Sequence, residues 1–279
     1  MSNFRICPIN FFADATLTVS PSADSGFAVT NAQLHARDKT FRCTPGSPST
    51  VVIEGNWGSE SRMIDTFAML RHTGHGGSIK LELFAPGSPT ATAYDSTVLP
   101  IYTAVSLDGF TWGLDVAGVP NTDLNYAKSP YYLNFTAVQA GSFRITLSNW
   151  PGSIVEVGQF WLGKYLEAAL HAKFGMVVAP KTNTQQVRTK GGTNRIRPGE
   201  SWHELKVDMM LATDNERARW RDLMDYVMAD VNVLINVWPG TGGRQERDYI
   251  FSAHHVIEQA GFAWNEVNFN QTVLTFGEV

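Results

Sequence analysis

Apolar and polar positions alternate over short stretches through the first 163 residues, and clusters of Gly, Pro, Ser and Asn separate the stretches. In Ile79-Lys80-Leu81-Glu82-Leu83-Phe84 the odd positions are apolar while Lys80 and Glu82 point the other way. Phe143-Arg144-Ile145-Thr146-Leu147-Ser148 repeats that period of two, the mark of a half-buried strand. The pattern predicts strands at Thr16–Ser20, Thr50–Glu54, Met63–Arg71, Ser78–Phe84, Thr92–Val98, Tyr131–Thr136, Phe143–Ser148 and Ile154–Leu162. Turn segments such as Ala85-Pro86-Gly87-Ser88-Pro89 and Val119-Pro120-Asn121-Thr122-Asp123 lie between them. Short strands at this spacing, with almost no helical period, predict a mainly β fold that opens with a two-sheet sandwich.

From Lys164 onward the pattern changes. Longer strands are expected at Ser201–Leu211, Val231–Trp238, Tyr249–Val256 and Val267–Phe276, with one helix between the first two. Thr213-Asp214-Asn215-Glu216 has the form of a capping box. Trp220, Leu223, Met224, Val227 and Met228 then recur at i, i+3, i+4, i+7 and i+8, which makes one apolar stripe. The expectation is an α+β unit, its sheet covered by that helix. The division falls between 1–163 and 164–279.

Composition narrows the function. The chain has 279 residues and a mass of 30.8 kDa, enough for one large or two medium domains with a self-sufficient core. Only 17% of residues are charged, Gly and Pro number 24 and 13, and aromatics make 11%: a turn-rich globular chain. A net charge of −4 and a pI near 6.0 argue against sequence-wide binding to nucleic acid or anionic membrane. No stretch reaches the roughly 18 apolar residues of a membrane span. The first residues lack a secretory apolar region, so synthesis in a cytoplasm with reduced thiols is expected. Cys7 and Cys43 exclude a disulfide scaffold, a four-cysteine zinc site and an all-cysteine cluster. They either pair across adjacent strands or serve as small buried side chains.

Charge is unevenly placed. Residues 1–163 hold 9 Lys/Arg and 12 Asp/Glu, and residues 164–279 hold 13 and 14. Between Lys181 and Arg197 lie Lys181, Arg188, Lys190, Arg195 and Arg197, with no acid and many Thr, Asn and Gln. That composition predicts a basic loop or hairpin arm with no acid to pair with locally, either solvated or ordered against a neighbour.

Catalytic chemistry finds little purchase. His72 and His75 offer two imidazoles after a strand, but no third ligand completes a metal set. His254 and His255 are adjacent in a strand and point to opposite faces. His35, His171 and His203 have no motif around them. The chain contains no nucleophile elbow, dinucleotide fingerprint, Walker-type loop or His-Glu-x-x-His. Gly240-Thr241-Gly242-Gly243-Arg244 follows a strand but precedes no helix, so it reads as a turn. The carboxylates of a glycoside-cleaving pair meet only in the fold, so the presence of 26 acids carries no signal by itself. No enzyme, no cofactor and no metal is the expectation. Trp57, Trp112, Tyr131 and Tyr132 fall in or beside loops of the sandwich, where aromatic faces either stack on sugar rings or plug the ends of the sheets.

Residues 13–54 resemble the opening of a discoidin-type sandwich, through Ala15–Ser20, Gly26–Ala32 and Thr40–Cys43. Ile64–His72 and Ile79–Phe84 fit the same pattern. Val157–Gly163, the basic arm with Lys190-Gly191-Gly192, the capped helix and the closing Gln271–Val279 are similar to tail-tip proteins of long flexible-tailed bacteriophages, nearest to distal tail proteins. The resemblance implies a non-enzymatic virion component at the tail tip, made in the host cytoplasm. It implies a homo-oligomeric ring, hexameric rather than trimeric, joining the tail tube protein to the hub protein beside the tape measure protein. Lys181, Arg188, Lys190, Arg195 and Arg197 are then the expected oligomer contacts. One departure is the order, because the sandwich comes first here and many distal tail proteins begin with the ring-forming part. The alternative is a carbohydrate-binding protein that attaches the virion to host cell-surface glycans, with Trp57, Trp112, Tyr131 and Tyr132 as contacts. No specific nucleic acid is expected.

Overall fold

The computed structural model describes residues 3–278 except 37, 47–49, 75, 102–129, 151, 169–176, 189–193, 198, 200, 212, 228–230, 241–245, 247–248, 256–261 and 265–269. In chain order its first strands are β1 (Arg5–Cys7), β2 (Thr16–Ser20), β3 (Phe41–Cys43), β4 (Val51–Asn56), β5 (Arg62–His72) and β6 (Ser78–Phe84). Then come β7 (Thr92–Asp95), β8 (Leu99–Pro100), β9 (Tyr131–Ala140), β10 (Ser142–Ser148), β11 (Val155–Gly163) and β12 (Leu166–Glu167). The remainder comprises β13 (Val177–Thr182), β14 (Gln185–Arg188), β15 (Asn194–Arg197), β16 (Ser201–Leu211), helix α1 (Asp214–Val227), β17 (Val233–Asn236), β18 (Ile250–His255), β19 (Phe262–Trp264) and β20 (Asn270–Glu278).

The sandwich is present. One sheet runs β2-β4-β10-β6-β7 with β8 on β6, and the other runs β3-β11-β5-β9. Their facing sides supply one core that includes Phe12, Phe41, Ile53, Ile64, Phe67, Leu81, Phe143, Ile145 and Phe160. The period-2 pattern of β6 and β10 does what it predicts: Ile79, Leu81 and Leu83 go inward with Phe143, Ile145 and Leu147. Gly55 has a close-approach role, since a Cβ there would run into the Phe143 ring.

The second core lies between an eight-stranded sheet, β12-β1-β17-β18-β20-β16-β13 with β19 on β20, and the helix. Trp220, Leu223, Met224 and Val227 pack with Phe4, Ile6, Leu205, Val207, Ile235, Phe251 and Leu274. The Glu216 amide donates to the Thr213 hydroxyl at 3.1 Å, the forward half of the expected cap. Met228, the last member of the expected stripe, lies outside the described residues.

Two details differ from the pattern-based expectation. Arg5–Cys7 belongs with the strands after residue 163, pairing antiparallel with β17 and β12, so the division at 163/164 leaves one strand on the far side. Three residues carry too little pattern to reveal such a partner. The strand expected over Thr92–Val98 stops at Asp95, where the Asp95 carboxylate accepts the Thr97 amide and Thr97 takes a left-handed φ of 58°. Of the two readings of the thiols, the small buried side chain holds: Cys7 and Cys43 are both free and buried, in different sheets.

Candidate functional site

The layers are joined by a seam. Ala68, Leu70 and Trp161 on the outward side of β5 and β11 pack against Cys7, Leu234 and Ile250 of the eight-stranded sheet, with Tyr132 alongside. The sheet β3-β11-β5-β9 is thereby covered on both sides, which is why residues 64–70 and 157–163 are buried without alternation. The Trp161 indole donates to the Cys7 sulfur at 3.2 Å, and complete burial pushes the Cys7 thiol up to about 12. Gly158 gives Arg71 its path, because a Cβ would stand 2.8 Å from Arg71 Cβ and Nε. Arg71 itself takes φ 52°. Asp65 accepts the Tyr165 amide at 3.0 Å and the Thr66 hydroxyl at 2.9 Å, and burial raises its carboxyl above the usual range. Arg5 bonds Glu167 at 2.8 Å and lies over the Tyr165 ring at 4.1 Å.

A cleft at this seam is lined by Leu70, Arg71, Pro130, Gln159, Ile250, Phe251, Ser252 and Glu278. Its volume of about 60 Å³ holds a few waters but no sugar ring. Beside it the Gln159 amide bonds the His35 ring at 2.7 Å, and burial, with Arg71 nearby, lowers the pKa of His35.

The sandwich meets solvent through its other sheet. Across β2, β4, β10, β6 and β7 the register places Thr18, Glu54, Arg144, Glu82 and Asp95 in one transverse row. Arg144 bonds Glu54 at 2.8 Å and lies 3.9 Å from Glu82; Lys80 bridges Glu82 at 2.8 Å and Asp95 at 3.0 Å. Both ion pairs hold Lys80 in its charged form, so its pKa is raised. On this flat polar face the carboxylates can accept from neutral hydroxyls, while the Arg144 guanidinium and the Lys80 ammonium can donate to them. The Lys80/Glu82 alternation on β6 was a visible signal of this row, but the opposition of Glu54, Arg144 and Asp95 was not.

The aromatic candidates fare differently. Trp57 is 7% exposed; its indole donates to the Phe11 carbonyl at 2.7 Å and its ring meets Phe143 at 5.3 Å, so it plugs the sandwich. Tyr131 packs edge-on against Phe67, and burial raises its phenol. Tyr132 is drawn into the seam rather than a loop tip. Trp112 lies outside the described residues. Among the described residues no group of three potential metal ligands comes together: His72 is buried and its Nδ1 accepts the Gly74 amide, while His75 lies outside them. Of the glycine-rich run, 241–244 lie outside the described residues, while the Glu246 carboxylate accepts both the Gly240 amide and the Asn236 side chain.

The basic segment is a hairpin. β14 pairs antiparallel with β15 over Gln185↔Arg197 to Arg188↔Asn194, as a separate two-stranded sheet. Lys181 corrects the expectation of no local acid, since it sits on β13 with its amine 3.3 Å from the Glu204 carboxylate of β16. Arg188 is exposed, Arg195 and Arg197 occupy alternate positions of β15, and Lys190 lies outside the described residues.

The fold is mainly β, a sandwich followed by a helix-backed sheet. No protein-family model matches the sequence, and no curated protein does. Among solved structures, the chain is similar to chitosan-binding module 1 of a chitosanase/glucanase from Paenibacillus sp. IK-5, at 16% identity and a TM-score of 0.39, over 56% of this chain and 99% of that one. It is also similar to a family 32 carbohydrate-binding module of Clostridium perfringens in complex with GalNAc-β-1,3-galactose, at 11% identity and a TM-score of 0.37, over 57% and 99%. A third is the family 32 module of C. perfringens NanJ in complex with galactose, at 12% and 0.37, over 58% and 99%.

Proposed function

We propose that the protein is a non-enzymatic attachment component of a bacteriophage tail tip, whose sandwich contacts host cell-surface glycans while the helix-backed sheet holds it in the virion. The observation that supports the glycan half is the outward row Thr18, Glu54, Arg144, Glu82 and Asp95, in register across five strands. It faces away from the seam, on the side a rigid mount leaves open. Neutral sugar hydroxyls match the mixed donors and acceptors of that row better than an anionic or a purely cationic ligand does. The tail-tip half rests on the sequence resemblance, and the seam supports it by tying the sandwich to its mount through a buried contact layer.

A glycan array probed with the full chain tests the first half. Retention of a glycan subset, lost in Arg144→Ala, is the expected result; a blank array, or retention unchanged by that variant, refutes the assignment of the row. Immunogold electron microscopy of virions tests the second half, with label expected at the tail tip.

A further inference from the structure

The apolar seam turns polar at one end. Leu70 and Gln159 stand opposite each other on β5 and β11, and Gln159 shares with Trp161 the side that meets the eight-stranded sheet. Across from them Ser252 shares with Ile250 the seam side of β18. With Arg71 and Glu278 these residues line the cleft of about 60 Å³. The Ser252 side chain is 7% exposed, and its hydroxyl has no hydrogen-bond partner among the described residues. A buried hydroxyl is seldom left in that state. Arg71, beside it on the same cleft, has a left-handed φ of 52°, a conformation uncommon in non-glycine residues and concentrated at ligand-binding sites. Residue 158 has to be glycine to admit it, as the 2.8 Å approach of a Cβ to Arg71 Cβ and Nε requires. Both terminal guanidinium nitrogens are buried, so the charge lies within the seam. The remaining polar walls are fixed by neighbours: the Gln159 amide bonds the His35 ring at 2.7 Å, and Glu278 Oε2 accepts the His203 amide at 2.9 Å and meets the His203 ring at 2.7 Å.

We infer that this cleft binds the carboxylate group of a small organic acid, with the Arg71 guanidinium and the Ser252 hydroxyl as its donors. A carboxylate accepts from both at once, and the bond from a guanidinium to it is charge-assisted; water satisfies the hydroxyl but brings no charge. The volume admits a carboxylate group. Glu278 sets the charge of the ligand, because its own carboxylate lines the same cleft and repels a dianion more than a monoanion. Arg71 and Gln159 come from the sandwich, while Ser252 and Glu278 come from the eight-stranded sheet. A ligand held between them ties the two layers together, so binding stabilises the fold as a whole. The inference stands apart from the outward row and from the tail-tip reading, since it uses residues of neither.

Urea unfolding of the full chain tests the inference, with sodium acetate replacing sodium chloride at constant ionic strength and neutral pH. The midpoint should rise with the logarithm of acetate concentration once that exceeds a Kd of about 1–10 mM, a range within reach of so small a ligand. Ser252→Ala should raise the acetate needed for the same shift by about tenfold. Arg71→Lys, which keeps the charge but loses the planar fork, should weaken the response likewise. In chloride alone Ser252→Ala should unfold at the same urea concentration as wild type or a higher one, because it removes a hydroxyl that nothing satisfies. A lower midpoint in chloride would mean that the hydroxyl is bonded within the fold, and it overturns the inference. An acetate response equal in wild type and Ser252→Ala overturns it as well, since that is a general salt effect. So does stabilisation by sulfate without any by acetate, or no response to acetate at all. Should Arg71→Lys impair folding, Ser252→Ala decides alone.

Discussion

Asn10 sits where the chain leaves the eight-stranded sheet and enters the sandwich, and it is buried. Its side-chain amide donates to the Phe160 carbonyl at 2.9 Å, and its carbonyl accepts the Phe12 and Leu162 amides, each at 3.1 Å. Asn10→Ala removes all three bonds and strands two backbone donors and one acceptor on β11 and the entering segment. A buried polar group left unsatisfied costs about 1–3 kcal/mol, and local relaxation makes the three less than additive, so the loss should be about 3–5 kcal/mol. With a urea m-value of about 3 kcal/mol/M for a chain of this size, the midpoint should fall by about 1–1.7 M. Tryptophan fluorescence reports it, because Trp161 and Trp57 are both buried near this crossing. Exposed Thr136→Ala on β9 is the control. A fall below about 0.3 M at unchanged m would refute the reasoning, meaning that water replaces the amide.

Leu223→Ala should cost about 2–5 kcal/mol by thermal or urea unfolding, because α1 docks through that side chain; no change would mean the stripe faces elsewhere. Thr213→Ala should cost about 0.5–2 kcal/mol for the lost cap, measured the same way. Cys7 should resist iodoacetamide at pH 8 until urea is added. Its thiol is raised in the fold from an ordinary value near 9 to about 12, so the stability it confers is complete below pH 9 and lost as pH climbs toward 12. Urea midpoints at pH 8 and 10.5 should therefore differ more in wild type than in Cys7→Ala; equal slopes would refute the burial argument. Gly158→Ala should destabilise by forcing Arg71 aside, readable as a lowered melting temperature. Arg144→Ala should change stability by only about 0–1 kcal/mol, since its ion pairs are half-exposed, which leaves its glycan test clean.

Local pattern carried much of the architecture. The alternation in β6 and β10 defined which side chains face the sandwich core, because a period of two has one solution when one face is buried. The capped stripe from Thr213 to Val227 defined the helix and its docking face for the same kind of reason at a period of 3.6. The acid-free run around Arg188 was legible as an arm, although its hairpin register was not. Other features depend on residues far apart in sequence. Nothing near Arg5 announces a strand that pairs with Asn236 and Glu167, and nothing near Lys181 announces Glu204. Trp57 and Tyr132 look alike as loop aromatics, yet one plugs the sandwich and the other enters the seam, since burial is set by what packs from elsewhere. The row from Thr18 to Asp95 likewise exists only once five strands are in register. Sequence periodicity determined the faces of each element, and tertiary packing decided which faces meet one another and which remain for a partner.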